Sequence, residues 1–146
     1  MALRKVKMLT VTALTGIVIA AGSLATAAPA AAEGGGSCYI NYDGCLYFDP
    51  NYAGADYGLR TDVVDFAGGL FACQGMHTCD GDGRQLKNNA ASAANFLAGL
   101  NFCVYYNSYW LGSSDWFAAY NHVGWYGNLN HTNGENASDH FSGGSC

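Results

Sequence analysis

Basic side chains almost vanish from this chain once its first 32 residues are set aside. Only Arg60, Arg84 and Lys87 remain, against eleven acids that all lie after Ala32. That portion carries a formal charge of −8, three bases against eleven acids. Such a surface repels phosphate backbones and anionic lipid, which excludes nucleic acid as a partner. It favours solubility, and it attracts cations such as calcium and basic protein partners. A second long hydrophobic run is also lacking, so no membrane span follows residue 32. Lys and Glu are scarce, whereas Gly and aromatic residues are plentiful. That balance favours short strands and tight turns over helices.

The motifs of common enzymes are missing too. There is no His-Glu-x-x-His, no Gly-x-Ser-x-Gly and no Gly-rich phosphate loop. His122, His131 and His140 stand nine residues apart, which fits no common zinc motif; they read as surface histidines beside Asn-rich turns. The acids read as a solvated face. The expectation is a protein that acts without catalysis and requires no cofactor.

The front of the chain reads as a secretory signal peptide over residues 1–32. Arg4, Lys5 and Lys7 form a basic start, Met8 to Ala21 is mostly apolar, and Ala28-Pro29-Ala30-Ala31-Ala32 supplies small residues for cleavage. The cut is expected after Ala32, giving a secreted, extracellular chain. Residues 33–37, Glu-Gly-Gly-Gly-Ser, form a flexible lead. Residues 38–146 suit a single domain.

Cys38, Cys45, Cys73, Cys79, Cys103 and Cys146 make an even six in an exported chain, which reads as up to three disulfides. Fifteen pairings are formally open. Cheap loop closure favours Cys38 with Cys45 and Cys73 with Cys79, leaving Cys103 and Cys146 to each other. No Cys-x2-Cys pair is present to suggest a metal.

The chain also repeats itself. Cys45-Leu46-Tyr47-Phe48-Asp49-Pro50-Asn51-Tyr52-Ala53-Gly54 returns as Cys103-Val104-Tyr105-Tyr106-Asn107-Ser108-Tyr109-Trp110-Leu111-Gly112. The shared core is aromatic-x4-aromatic-x-Gly. Each copy is followed by a closing Ser, Ser92 in Asn88-Asn89-Ala90-Ala91-Ser92 and Ser138 in Gly134-Glu135-Asn136-Ala137-Ser138. Two similar β motifs are expected, the first over about 38–95 and the second over about 100–141. The stretch from Cys73 to Gly83 has no counterpart in the second copy and reads as an inserted loop. Strands are expected at 45–48, 59–66, 70–72, 102–106, 116–120 and 125–129, with a hairpin turn over 49–54. Residues 88–100 carry Ala and apolar residues at roughly helical spacing, but the repeat argues for a turn and then a strand.

These paired signatures resemble the two Greek-key motifs of the βγ-crystallin fold. With Cys38 and Cys45-Leu46-Tyr47 just behind a signal peptide, the chain further resembles the secreted Streptomyces metalloproteinase inhibitor family. The resemblance covers nearly all of residues 33–146. It implies an all-β, disulfide-stapled sandwich in which the Ser side chain bonds back to the folded hairpin. Tyr47, Gly54, Ser92, Tyr105, Gly112 and Ser138 are then residues of the fold. It also implies a secreted peptidase inhibitor whose partner is an extracellular peptidase, a metallopeptidase by the family's type, with the inhibitor acting as a monomer.

The inhibitory loop expected from this sequence is Gln74, Gly75, Met76, His77 and Thr78, held between Cys73 and Cys79. The family's own bracketed loop lies at its second motif, so these residues are not carried over from it. Two alternatives remain open. Asn88-Asn89-Ala90-Ala91-Ser92-Ala93 matches five of the six positions of the calcium motif of βγ-crystallins, failing at the last, which makes calcium a candidate ligand of a structural module through Asn88, Asn89 and Ser92. The exposed aromatics Tyr109, Trp110, Trp116, Trp125 and Tyr126 suit a toxin-like protein that binds cell-wall glycan.

Overall fold

Seven short strands arise where aromatic and aliphatic residues alternate between Gly-rich turns. A computed structural model describes residues 38, 42–75 and 78–146. The strands are β1 Gly44–Tyr47, β2 Asp56–Leu59, β3 Ser92–Asn95, β4 Asn101–Asn107, β5 Leu111–Phe117, β6 Tyr126–Asn128 and β7 Ser138–Ser142. The one helical element among the described residues is a 3-10 turn at Pro50–Tyr52. All strand pairings are antiparallel, in two sheets ordered β2-β1-β3-β6 and β5-β4-β7.

The two copies of the repeat build matching halves. β1 lies between β2 and β3, as β4 lies between β5 and β7. β6 belongs to the second copy yet pairs with β3 of the first. Val63 of the first copy returns the exchange by bridging Asp139 in β7. Each half thus lends its third segment to the other half's sheet. This crossing makes one sandwich of two Greek keys, because neither sheet is complete without the other half. The apolar residues between the sheets include Leu46, Tyr57, Leu59, Phe66, Phe102, Val104 and Phe117, all buried.

The folded-over hairpins show why the repeat has its spacing. Asn51 and Tyr52 have φ of 59° and 63°, and the equivalent Tyr109 and Trp110 have 62° and 60°. Gly54 and Gly112 follow at φ +75° and +82°. A Cβ on Gly54 would lie 3.0 Å from the Asp80 carbonyl oxygen and 2.7 Å from Asp49 Oδ2, which together with the positive φ favours glycine there. Ser92 closes the first turn: its hydroxyl donates to the Asp49 carbonyl (2.7 Å) and accepts from the Tyr52 N–H (3.0 Å). Ser138 does the same for Asn107 (2.7 Å) and Trp110 (3.1 Å). Both serines are fully buried.

The cysteines pair as Cys38–Cys45, Cys73–Cys79 and Cys103–Cys146. Cys45 and Cys103 hold equivalent places in β1 and β4, so one bridge per half ties an outlying segment to a central strand. Residues 88–100 give a turn and β3, as the repeat argued, because Ala93 and Ala94 must fit beside β1.

Several strand expectations shift. The 59–66 candidate holds only the end of β2 and the Val63 bridge, and 70–72 makes only the isolated bridges Leu70–Gln85 and Ala72–Asp56. There the chain is crossing between sheets. β5 runs Leu111–Phe117, earlier than the 116–120 candidate, because the hairpin after Gly112 returns at once beside β4.

One buried group breaks the symmetry. Ala93 lies opposite Leu46, and its equivalent Asp139 lies opposite Val104. Asp139 is 0 % exposed, and neither carboxyl oxygen has a hydrogen-bond partner among the described residues. Burial first, and the charge of Asp62 second, push its pKa well above 3.8. The native state therefore holds a proton that the unfolded chain releases above that ordinary value. Stability falls as pH rises from about the ordinary carboxylate value through the raised native one, and it is unaffected below that window. Asp139→Ala is expected to stabilise the chain by about 1–3 kcal/mol at pH 8, with the gain shrinking toward pH 3, measured by urea unfolding at both pH values. Ser92→Ala and Ser138→Ala are each expected to cost about 1–3 kcal/mol in the same assay, since each strands a turn N–H and a carbonyl.

Candidate functional site

The inserted segment between the first-copy hairpin and β3 is fixed at its base by main-chain bonds. Asp56 and Ala72 exchange both N–H···O bonds at 3.0 Å. The Ala55 N–H reaches the Asp80 carbonyl (2.7 Å), and the Gly83 N–H reaches that of Phe71 (2.9 Å). Gly81 is buried at φ +84° with the Phe48 ring packed where a Cβ would stand. Phe48 in turn meets Phe71 edge-on at 5.8 Å. The Cys73–Cys79 bridge then closes the loop above this base.

Asp56 ties the loop to the rest of the molecule. Its side chain is buried at the head of β2. Oδ1 accepts from the Cys38 N–H (3.0 Å), and Oδ2 accepts from Gln74 Nε2 (2.6 Å). One carboxylate therefore joins the Cys38–Cys45 bridge to the loop. Burial raises its pKa, and the bonds from Gln74 and Cys38 pull it back only in part. The Cys73 N–H donates to Asp82 Oδ1 (3.2 Å), and the Cys79 N–H to Cys73 Sγ (2.7 Å). A hollow of about 270 Å³ opens at the foot of the loop, lined by Tyr47, Tyr52, Gly54, Asp56, Cys73, Gln74 and Cys79.

Of the residues expected to form the inhibitory loop, Gln74, Gly75 and Thr78 are exposed, and Gly75 has φ +72°. Met76 and His77 lie outside the described residues. Asp56 was not anticipated from the sequence. Its signal is an acid inside a short strand, a position that acids rarely take without a partner.

The calcium candidates sit at the turn into β3 and serve different neighbours. Asn88 takes φ 64° and its N–H bonds the Asn136 carbonyl. Asn89 Nδ2 donates to the Lys87 carbonyl (3.0 Å). The Ser92 hydroxyl is committed to the 49–52 turn. Asn88 does share a cleft of about 210 Å³ with Glu135, Tyr106, Asn107 and Ser108. Lys87 also lines that cleft, its Nζ bonding Asp65 Oδ1 (2.8 Å) and Ser108 Oγ (2.9 Å). Among the described residues, no group of three or more His, Cys, Asp or Glu is placed to hold a metal ion.

The histidines serve separate places. His131 Nδ1 lies 3.1 Å from Asp115 Oδ1, and His140 Nδ1 lies 2.7 Å from Asp62 Oδ2. Asp115 also accepts from the N–H groups of Asn130, His131 and Thr132 and from Thr132 Oγ1. Burial works to raise the Asp115 pKa, but the Thr132 hydroxyl and these N–H groups outweigh it and hold the pKa below 3.8. That carboxylate fixes the 130–132 turn.

The chain is similar to two solved structures. One is a βγ-crystallin-domain structure concerned with the evolution of that eye-lens fold; it shares 13 % identity, covers 77 % of this chain and 97 % of its own, and gives a TM-score of 0.49. The other is a mutant βγ-crystallin domain from Clostridium beijerinckii, with 18 % identity, 70 % and 99 % coverage and a TM-score of 0.43. No curated protein matches the chain. The sequence profile of peptidase inhibitor family I36 matches residues 31–117, more than half of the chain. That span takes in the first hairpin, the disulfide-closed insert, β3, and the second hairpin through β5. With its doubled hairpin and stapled loop, the chain belongs to peptidase inhibitor family I36.

Proposed function

We propose that the chain, secreted and freed of residues 1–32, inhibits an extracellular peptidase by seating residues 74–78 in the active-site cleft. The observation that carries this reading is the base of the loop. A disulfide, a pair of exchanged main-chain bonds and the buried Asp56 carboxylate all restrain it. Restraint of this kind removes ordering entropy from binding. It also keeps the two ends of a cleaved loop together, so that release after attack is slow.

The chain acts as a monomer, without catalysis and with no required cofactor. A metallopeptidase is the target that the reading favours. His77 or a loop carbonyl supplies a donor of the kind zinc accepts in its open position. The acidic balance of the chain suits a partner with a basic cleft rim.

The test is titration of the chain against secreted metallo-, serine and cysteine peptidases on fluorogenic peptides. Stoichiometric slowing of a metallopeptidase is expected. No slowing of any class would contradict the reading. Asp56→Ala is expected to raise the inhibition constant by about tenfold or more, because the loop's anchor is lost, while Asp56→Asn retains part of the effect. Cys73→Ser with Cys79→Ser is expected to turn the loop into a substrate, seen by mass spectrometry as cleavage between residues 73 and 79.

A further inference from the structure

The two halves differ at one surface hollow. In the second half His140 packs on Trp110, with ring centroids 4.9 Å apart. The residue equivalent to His140 in the first half is Ala94, opposite Cys45 in β1 as His140 is opposite Cys103 in β4. The small side chain leaves an open groove of about 300 Å³, lined by Tyr47, Tyr52, Ala94, Phe96, Trp125 and Tyr126.

The rings of this groove run in sequence. Tyr47 meets Tyr52 at 5.7 Å, Tyr52 meets Tyr126 at 5.1 Å, Tyr126 meets Trp125 at 4.5 Å, and Trp125 meets Phe96 at 5.6 Å. The first three contacts are edge-to-face, so each ring holds the next at a fixed angle. Tyr52 is 37 % exposed and Tyr126 48 %. β3 and β6, paired side by side, carry Ala94 and Tyr126 directly opposite one another. The groove therefore stands on paired strands and is formed before any ligand arrives.

We propose that this aromatic groove binds a neutral polysaccharide. No lining side chain carries a charge, although the chain as a whole is strongly acidic. An anionic polymer is repelled by the acidic surroundings, and a cationic one finds no carboxylate in the lining. Among the described residues, no hydrogen bond within the chain occupies the hydroxyls of Tyr47, Tyr52 or Tyr126. Burial, then the charge of Asp56 and the neighbouring Tyr52, push the Tyr47 pKa up to about 12, so its hydroxyl stays a neutral donor. A purely apolar occupant would strip water from three hydroxyls and return no bonds. A sugar chain offers C–H faces to the rings and hydroxyls, both donors and acceptors, to the tyrosines. The row of rings suits a repeating ligand better than a single compact one. The groove shares Tyr47 and Tyr52 with the hollow at the foot of the loop, but the proposal does not rest on the peptidase reading.

The experiment is depletion of the chain from solution by cellulose, chitin and curdlan, with polygalacturonate as the anionic comparison. Retention by at least one neutral polymer is expected. Tyr52→Ala with Tyr126→Ala, and separately Ala94→His, are expected to weaken it by about tenfold or more. Tyr109→Ala with Trp116→Ala is expected to leave it unchanged, although those rings are 66 % and 57 % exposed. Tyr52→Phe with Tyr126→Phe keeps the rings and the fold and is expected to lose binding severalfold. The proposal is overturned by no retention on any neutral polymer, by preference for polygalacturonate, or by losses equal in the Tyr109 and Trp116 variant. Saturation of the groove by a proline-rich peptide, in the absence of polysaccharide binding, would also overturn it.

Discussion

A buried serine hydroxyl under each folded hairpin sets the conditions for the rest of this structure. Residues 51, 52 and 54, and their equivalents 109, 110 and 112, all take left-handed backbone. That conformation is unfavourable for Asn, Tyr and Trp, and it turns main-chain groups inward. Each serine answers with one bond donated and one accepted. With the turns held, β1 and β4 take central places and the third segments can cross between sheets. The inserted loop then starts from a rigid platform, because Asp56 heads the strand that leaves the first hairpin.

The halves have kept this clamp and changed what surrounds it. Ala93 and Ala94 of the first correspond to Asp139 and His140 of the second. The first pair leaves a smooth core and an open aromatic groove. The second places an unpartnered carboxyl in the core and closes the hollow with an imidazole. A buried carboxyl of this kind lowers stability and is not needed by the clamp. The first half therefore holds the inserted loop, and the groove forms where its Tyr47, Tyr52, Ala94 and Phe96 meet Trp125 and Tyr126 of the second.

Much of this architecture was legible in the chain because it depends on residues that few substitutes can replace. The Gly of each hairpin and the paired cysteines announce themselves by spacing, and the role of the serine that closes each hairpin came from the resemblance to βγ-crystallin motifs. Strand limits were less legible. The segments around Val63 and Leu70 read as strands on composition, yet they make only single bridges as the chain passes between sheets. Asp56 was missed for a different reason. Its partners, the Cys38 N–H and Gln74, are each 18 residues away, and nothing local marks them. The groove was visible only in part, since Trp125 and Tyr126 stand out in the sequence while Ala94 beneath them does not. Its openness depends on a small residue and on the register of β3 against β6.

Amide hydrogen exchange tests most directly the claim that clamped hairpins make the loop's base rigid. The N–H groups of Tyr52 and Trp110 are expected to exchange only through global unfolding, along with those of Ala55, Asp56 and Gly83 at the foot of the loop. Base amides that open with far lower free energy than Tyr52 and Trp110 would show a loop detached from its platform, and the account of a rigid inhibitor would fail.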